Sequence, residues 1–548
     1  MSPSAWPHVH PVRSCHYGLR LDPGAMPRID AIALSCALGD LDATFSALRA
    51  GRGSAAAPLP RPLRETLLDL ARTVLAGTTA DLLLLATTKA ESDRSCAALV
   101  RDEPGYAGGP GQLARELGAQ LGMPGFAVSA ACASAPIACG IAGRALNHGR
   151  VERILVLAGD QIGAFVRDGF TALKALDARG AKPFDRDRAG LALGETAGAV
   201  LLSRATGPGL HLQGWGASLD ANHLTGPSRD GSGLERAVRQ ARARAGEPTL
   251  GLIIGHGTGT RYNDDSESQA YARTSQAPVV GYKGLLGHSL GACGLSELAL
   301  ATCIMGSGIV PGTTGLEVQG CVGAITVLPP GDHALRSGPI LCANAGFGGI
   351  NGALILGHQP ALVAAPRAAR VVARCRLDAQ GWTAQGGAAD LAPSAGAWLE
   401  RGEDGQPRLP ALEVIGRIDP HWGRMDLACR ALVAVASRLG ELPTGCAIVL
   451  VTEAGCAASD RRFERERLLH GADPQRFAYT LPTTPIGEAS IRLRLQGPGF
   501  ALLGASDAQA RACGGDLLRE GAPAVLVARV EADGRLTAWA ELWRPEDP

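Results

Sequence analysis

Cys132 stands in Ser129-Ala130-Ala131-Cys132-Ala133-Ser134, after the apolar run Gly125-Phe126-Ala127-Val128 and before the Ala-rich segment Pro136 to Leu146. This reads as a buried strand, a sharp turn and a buried helix whose first turn carries a thiol. The thiolate is the reactive form of cysteine, and the free N–H groups and positive dipole end of a helix N-terminus stabilise it. Alone, a cysteine in an Ala-rich helix is ordinary core filler. Two further stretches change that reading. His256-Gly257-Thr258-Gly259-Thr260 follows the apolar run Leu252-Ile253-Ile254, and Lys283-Gly284-Leu285-Leu286-Gly287-His288 follows Pro278-Val279-Val280. One thiol and two imidazoles, each at a strand end beside glycines, make a candidate nucleophile with two candidate proton or hydrogen-bond donors. His148, His211 and His223 have no such pattern and are read as structural or exposed.

The elements that must position these residues alternate as in a β/α protein. Strands are expected over 30–34, 81–87, 125–128, 153–158 and 199–202, with helices over 41–50, 61–75, 112–121 and 136–146. Gly159-Asp160 at the end of the fourth strand reads as a ligand-facing loop. After a strand near 210–215 the pattern restarts: helix 234–245, strand 251–254, helix 266–273, strand 278–281, helix 292–305, and strands 339–342 and 353–356. Two similar β/α halves joined near residue 205 summarise this order.

Bulk properties narrow the function classes. The chain has 548 residues, 46% of them apolar, with 53 basic against 52 acidic side chains. That balance describes an ordinary globular protein, and no Lys/Arg block points to nucleic acid. Fourteen cysteines without metal-type CxxC spacing read as reduced thiols, which implies a cytoplasmic setting. The best candidate for a membrane span, 126–146, is rich in small residues and contains Arg144, so no span is expected. Residues 1–25 hold His8, His10, Cys15 and His16 without a ligand pattern, and a disordered leader is expected there rather than a metal site.

Six motifs in order carry a resemblance. Ala131-Cys132-Ala133-Ser134, Pro183-Phe184-Asp185, Gly194-Glu195-Thr196-Ala197-Gly198, His256 to Thr260 with Asn263-Asp264, Lys283 to His288 with Leu290-Gly291-Ala292, and Asn344-Ala345-Gly346-Phe347-Gly348-Gly349 with Asn351 resemble a β-ketoacyl synthase, over residues 28–358. The branch resembled is the elongating, decarboxylating one. The resemblance implies a thiolase-like layered αβαβα fold, with halves at 26–205 and 206–358. It also implies decarboxylative condensation of an acyl thioester held on Cys132 with malonyl-acyl-carrier-protein, serving fatty acid, polyketide or polyene-type chain elongation.

By the same resemblance, His256 and His288 hold the malonyl thioester oxygen as its charge develops. Lys283 and Glu297 pair to fix the histidine environment, against the plainer reading of a surface lysine and a helical glutamate. Asp264 and Glu267 orient the site, while Thr258 and Thr260 bind the pantetheine arm. Phe347 gates the acyl pocket, against the plainer reading of a core aromatic; its backbone N–H and that of Cys132 serve the tetrahedral intermediate. No metal or organic cofactor is implied, since phosphopantetheine arrives on the acyl carrier protein. A homodimer, or pairing with a synthase-like partner subunit, is implied too. Ala135, Thr196 and Ile350 depart from the family pattern, which bears on substrate range rather than on chemistry. The competing reading is a non-catalytic chain-length-factor-like subunit or carrier-binding scaffold, which retention of Cys132, Lys283, His256 and His288 argues against. A thiolase or an initiating synthase is disfavoured by His288.

About 190 residues follow. Residues 359–410 read as a linker and irregular segment, with a strand pair or loop after 371. Residues 411–548 read as a degenerate copy of the nucleophile half, since Pro498-Gly499-Phe500-Ala501 repeats Pro124-Gly125-Phe126-Ala127. The slot equivalent to Cys132 falls on Gly504 or Ser506, neither a thiol. The strand 499–503 is expected to shield or mimic a dimer edge.

Overall fold

The computed structural model describes residues 26–52, 57–101, 109–205, 207–358, 368–378, 381–386, 409–533 and 536–546. The predicted leader therefore lies outside the described residues. Nineteen strands are described. In the first unit they are β1 (Met26–Cys36), β2 (Gly39–Asp40), β3 (Leu82–Ala86), β4 (Gly125–Ser129), β5 (Arg153–Gly159) and β6 (Thr196–Ala205). The second has β7 (His211–Leu219), β8 (Leu252–Ile254), β9 (Val279–Val280), the small pair β10 (Ile309–Pro311) and β11 (Asp332–Ala334), then β12 (Ile340–Gly346) and β13 (Ile350–Gly357). The third has β14 (Ala369–Asp378), β15 (Gly381–Gly386), β16 (Ala447–Thr452), β17 (Gly499–Leu503), β18 (Val525–Glu531) and β19 (Thr537–Pro545).

The same strand order occurs three times. The first unit runs β4-β3-β5-β6-β1, the second β9-β8-β12-β13-β7 and the third β17-β16-β18-β19-β14. In each, the first three strands are parallel and the last two antiparallel. The parallel strands read as unbroken apolar runs because both faces are covered. Between the first two sheets lie the helices Ser134–Asn147 and Cys293–Ser307, which pack on each other. Their Ala, Gly and Ile side chains are buried nearly all round, as a middle layer demands. Gly143 is one reason the layer closes: a Cβ there would meet the Trp215 ring at 2.8 Å. The result is the layered αβαβα arrangement with two similar halves.

Three expectations change. The linker assigned to 359–410 is in part structured: β14 and β15 form a hairpin, and β14 pairs with β19. They occupy the places that β1 and β2 hold in the first unit, so the described part of the third unit starts near residue 369 rather than 411. Of the strand pair or loop expected after 371, the strand pair is what forms, and Ala373, Cys375 and Leu377 alternate there with arginines as a period-two strand does. Two short helices, Ser92–Val100 and Ala164–Ala172, were not foreseen. Finally, the counterpart of Cys132 is neither Gly504 nor Ser506. Each turn has one left-handed residue, Ala131 (φ 50°) and Gly504 (φ 76°), and each helix an N-cap, Ala133 and Ser506. Between them stand Cys132 and Ala505, so the copy carries a methyl where the first unit carries a thiol.

The strand edge beside Cys132 is covered within the chain. β17 pairs antiparallel with β4, Ala501 opposite Ser129, Leu502 opposite Val128 and Leu503 opposite Ala127. Ala501 and Ala127 are the repeated residues of the two copies, so the pairing has a local pseudo-two-fold axis through Val128 and Leu502. Gly111 allows the close approach, since a Cβ on it would sit 2.9 Å from the backbone at Leu503 and Gly504. Glu520 reinforces the contact, accepting from Arg144 Nε (2.6 Å), Arg244 Nη2 (2.8 Å) and Trp215 Nε1 (3.1 Å). The helical stretch Leu290–Ser307 is long and apolar enough to cross a membrane by composition, but most of it is packed inside the protein and it carries Glu297.

Candidate active site

Cys132 follows the strained Ala131 and directly precedes the N-cap of Ser134–Asn147, so it stands just ahead of the first helical turn rather than in it. Ser134 holds the turn closed: its Oγ donates to Ala131 O (2.6 Å) and accepts from Ala130 N–H (2.9 Å). Gly346, at the end of β12, lies against the same turn; a Cβ there would meet Ala130 O and Cys132 N at 3.0 Å. This brings the Phe347 loop beside Cys132.

The three chemically suggestive residues converge. The Cys132 sulfur and ring nitrogens of His256 and His288 lie within 4.8 Å of one another, all three residues buried. The two rings stand edge to face with centroids 5.2 Å apart.

Their protonation follows from the neighbours. Asn344 Nδ2 donates to Glu297 Oε2 (2.9 Å) and lies 3.1 Å from His256 Nδ1. The carboxylate can only accept, so the amide NH₂ faces it and its second N–H meets Nδ1. Nδ1 of His288 accepts the backbone N–H of Leu290 (3.1 Å). With both Nδ1 atoms accepting, each neutral ring carries its proton on Nε2. The pair therefore presents two N–H donors. Burial first, then the Lys283 charge, push the His256 pKa well below its ordinary 6.5, so it is neutral near pH 7.

Lys283 and Glu297 are buried partners rather than a surface lysine and an ordinary helical glutamate: Nζ donates to Glu297 Oε1 (2.5 Å) and to His256 O (2.6 Å). Burial opposes the charge on Lys283, but Glu297 more than offsets it and raises its pKa overall. Asp264 and Glu267 hold the backbone of the His256 loop. Glu267 accepts from His256 N–H (2.8 Å), Gly257 N–H (2.6 Å), Asn263 Nδ2 (2.9 Å) and Tyr271 OH (2.9 Å). Asp264 accepts from Phe184, Thr258 and Gly259 N–H. Burial and the Asp264 charge lift Glu267 to about 8. The Thr258 and Thr260 hydroxyls bond each other at 2.9 Å, and Thr260 caps the helix Arg261–Thr274.

Beside Cys132 is a small cavity of about 30 Å³, lined by Phe347, Phe170, Val166 and Leu290 from the first two units and by Phe477 and Leu481 from the third. Phe347 thus lines the cavity with Cys132, its ring 5.9 Å from that of Phe170. Asp160, read as part of a ligand-facing loop, is taken up by protein donors. Its carboxylate accepts from Thr87 Oγ1 and from the N–H groups of Thr88, Lys89, Ala90 and Gly291, tying the loop after β3 to the loop after His288. Sequence reading passed over Asn344 as a site residue although it heads a quoted motif. Lys89, Thr88 and Phe477 carried no motif at all.

Residues 65–207 match the family described as Beta-ketoacyl synthase, N-terminal domain, and residues 211–317 its C-terminal domain. Over 270 residues the chain is 31% identical to the tetracenomycin polyketide synthase ketoacyl synthase alpha subunit of Streptomyces glaucescens, covering 45% of this chain and 63% of that protein. Over 255 residues it is 31% identical to 3-oxoacyl-[acyl-carrier-protein] synthase 2 of Vibrio cholerae, covering 42% of this chain and 62% of that one. The matched part thus spans about three fifths of these relatives. Among solved structures, the PfaC keto synthase-chain length factor is similar over 95% of this chain and 78% of its own, with TM-score 0.74 and 16% identity. The ketosynthase ApeO in complex with its chain length factor ApeC from Xenorhabdus doucetiae matches 61% of this chain and 98% of its own, with TM-score 0.53 and 25% identity.

Proposed function

The chain belongs to the β-ketoacyl synthase family, and on that premise we propose that it is a condensing enzyme that elongates acyl chains carried on an acyl carrier protein. The observation that carries this reading is the convergence of the Cys132 sulfur with two histidines whose Nε2–H groups are both free to donate. In the first half-reaction the Cys132 thiolate attacks the carrier-bound acyl thioester. A new C–S bond forms, and the carrier thiol leaves with the proton. In the second, malonyl-carrier loses CO₂, and the electron pair of the broken C–C bond moves onto the thioester oxygen as an enolate. Two imidazole donors suit that developing charge, each worth about 3 kcal/mol by analogy with oxyanion-hole donors. The enolate carbon then attacks the acyl-cysteine, and the thiolate is expelled.

The Cys–His–His distances alone would also suit a divalent cation, but ligation needs a lone pair on each Nε2, and the tautomers set by Asn344 and Leu290 place protons there. The reading therefore assigns the site no metal and no resident cofactor. Phosphopantetheine reaches it on the carrier protein, with Thr258 and Thr260 beside the arm. An open groove of about 910 Å³ between the 222–225 loop and the third unit, lined in part by Arg417, Arg424 and Arg462, suits an acidic carrier. The third unit takes the place of a partner subunit, because β17 occupies the β4 edge that a second copy would use. The cysteines described are free thiols, which supports a cytoplasmic setting.

The test is to incubate the purified chain with acyl-carrier and malonyl-carrier and to weigh the carrier products. A β-ketoacyl-carrier two carbons longer than the acyl supplied is expected. Failure to form one with every acyl chain and carrier tried, despite intact fold, would favour the scaffold reading.

A further inference from the structure

The cavity beside Cys132 is mostly aromatic and aliphatic, yet its wall includes Thr88 and Lys89. Both are buried, at 3% and 5% exposure. Thr88 Oγ1 has no hydrogen-bond partner among the described residues. An orphaned hydroxyl costs on the order of 1–3 kcal/mol unless something arrives to meet it. Its place is fixed, since Asp160 holds the backbone N–H groups of both Thr88 and Lys89.

Lys89 is unusual in such a wall. Its Nζ donates to Asp460 Oδ1 at 2.6 Å and lies 3.5 Å from Cys456 Sγ, both on the third unit, and it sits over the Phe165 ring at 5.1 Å. That uses two of its three N–H groups, counting only described residues. A buried ion pair is a poor stability device compared with apolar packing. A pocket meant for a plain hydrocarbon chain would be expected to carry neither the ion pair nor the orphaned hydroxyl.

Resting on the condensing-enzyme reading, we propose that the acyl pocket selects acyl groups bearing an oxygen, keto or hydroxyl, within the first few carbons beyond the thioester, with Thr88 Oγ1 and Lys89 Nζ meeting that oxygen. The neighbouring Asp460 and Cys456 position the ammonium. Thr88 and Cys132 line the same small cavity, so a four-carbon acyl group is the matched probe.

The experiment follows acylation of the full chain by intact mass, using racemic 3-hydroxybutyryl-pantetheine and butyryl-pantetheine, with Cys132→Ala as background. The wild-type chain should load the hydroxylated group about tenfold faster than butyryl, and Thr88→Val should bring that ratio close to one. Equal loading of the two by the wild-type chain, or faster loading of butyryl, overturns the proposal while leaving the condensing reading intact. Because that arm needs no variant, misfolding of Thr88→Val cannot shelter the proposal. A wild-type preference that Thr88→Val leaves within twofold of its original value also overturns it. Failure of both thioesters to load on Cys132 overturns this proposal, and the condensing reading falls with it only if no acyl-carrier loads that sulfur either.

Discussion

At the scale of single residues, the site works through protons whose positions are dictated from behind. Glu297 orients the Asn344 amide, and Asn344 fixes the His256 tautomer. Asn344→Ala should therefore slow malonyl-carrier decarboxylation roughly 10- to 100-fold, as loss of a partner behind an active imidazole does. Acylation of Cys132, which does not use that donor, should fall far less. Measuring the two half-reactions separately checks this. The depressed pKa of His256 has a consequence for stability. The unfolded chain takes up this proton near pH 6.5, whereas the folded one resists it, so the contribution is complete above 6.5 and is lost as pH falls below it. The slope is at most about 1.4 kcal/mol per pH unit from this one group. Denaturant melts at pH 7.5 and 5.5 should show it, and His256→Gln should flatten the difference.

At the scale of elements, the turn between β4 and the helix Ser134–Asn147 positions Cys132, and β12 buttresses it through Gly346. Gly346→Ala would push a Cβ to 3.0 Å from Ala130 O and Cys132 N. Shifts of that kind near reacting atoms are costly, and loading should slow by about tenfold or more. Acylation kinetics check this, with circular dichroism as the fold control. Much of this level was legible in sequence. The apolar runs ending at Val128, Ile254 and Val280 marked the strand ends that carry Cys132, His256 and Lys283 to His288, because buried parallel strands must be apolar on both faces. What stayed hidden had no local signal. Lys89, on a loop, and Phe477, at the end of the short helix Pro474–Phe477, reach the cavity from almost four hundred residues apart. Asp160 resembles a ligand-facing acid in sequence and is consumed by backbone donors in space. The β14–β15 strand pair was one of the two readings of the stretch after 371, but its membership in the third unit became clear only from its pairing with β19.

At the scale of the whole molecule, one chain holds the Cys132–His256–His288 site and a further copy of the half that carries Cys132. The pseudo-two-fold pairing of β4 with β17 completes the sheet, and the copy lends Phe477 and Leu481 to the pocket while carrying Ala505 in place of a thiol. Removing residues beyond 358 should expose the β4 edge. Light scattering should then show a shift from the mass of one chain to dimers or larger species, with Cys132 loading impaired. A truncated protein that stays monomeric and loads normally would show the copy to be dispensable to the site.

The most direct measurement of the central claim separates the two half-reactions in Cys132→Ala. An intact-mass assay with acyl-carrier should show no adduct on the variant, while CO₂ release from malonyl-carrier persists, since His256 and His288 remain in place. An acyl adduct surviving on Cys132→Ala would contradict the assignment of this sulfur as the nucleophile. Persistence of decarboxylation after His256→Ala and His288→Ala together would contradict the role of the paired imidazoles.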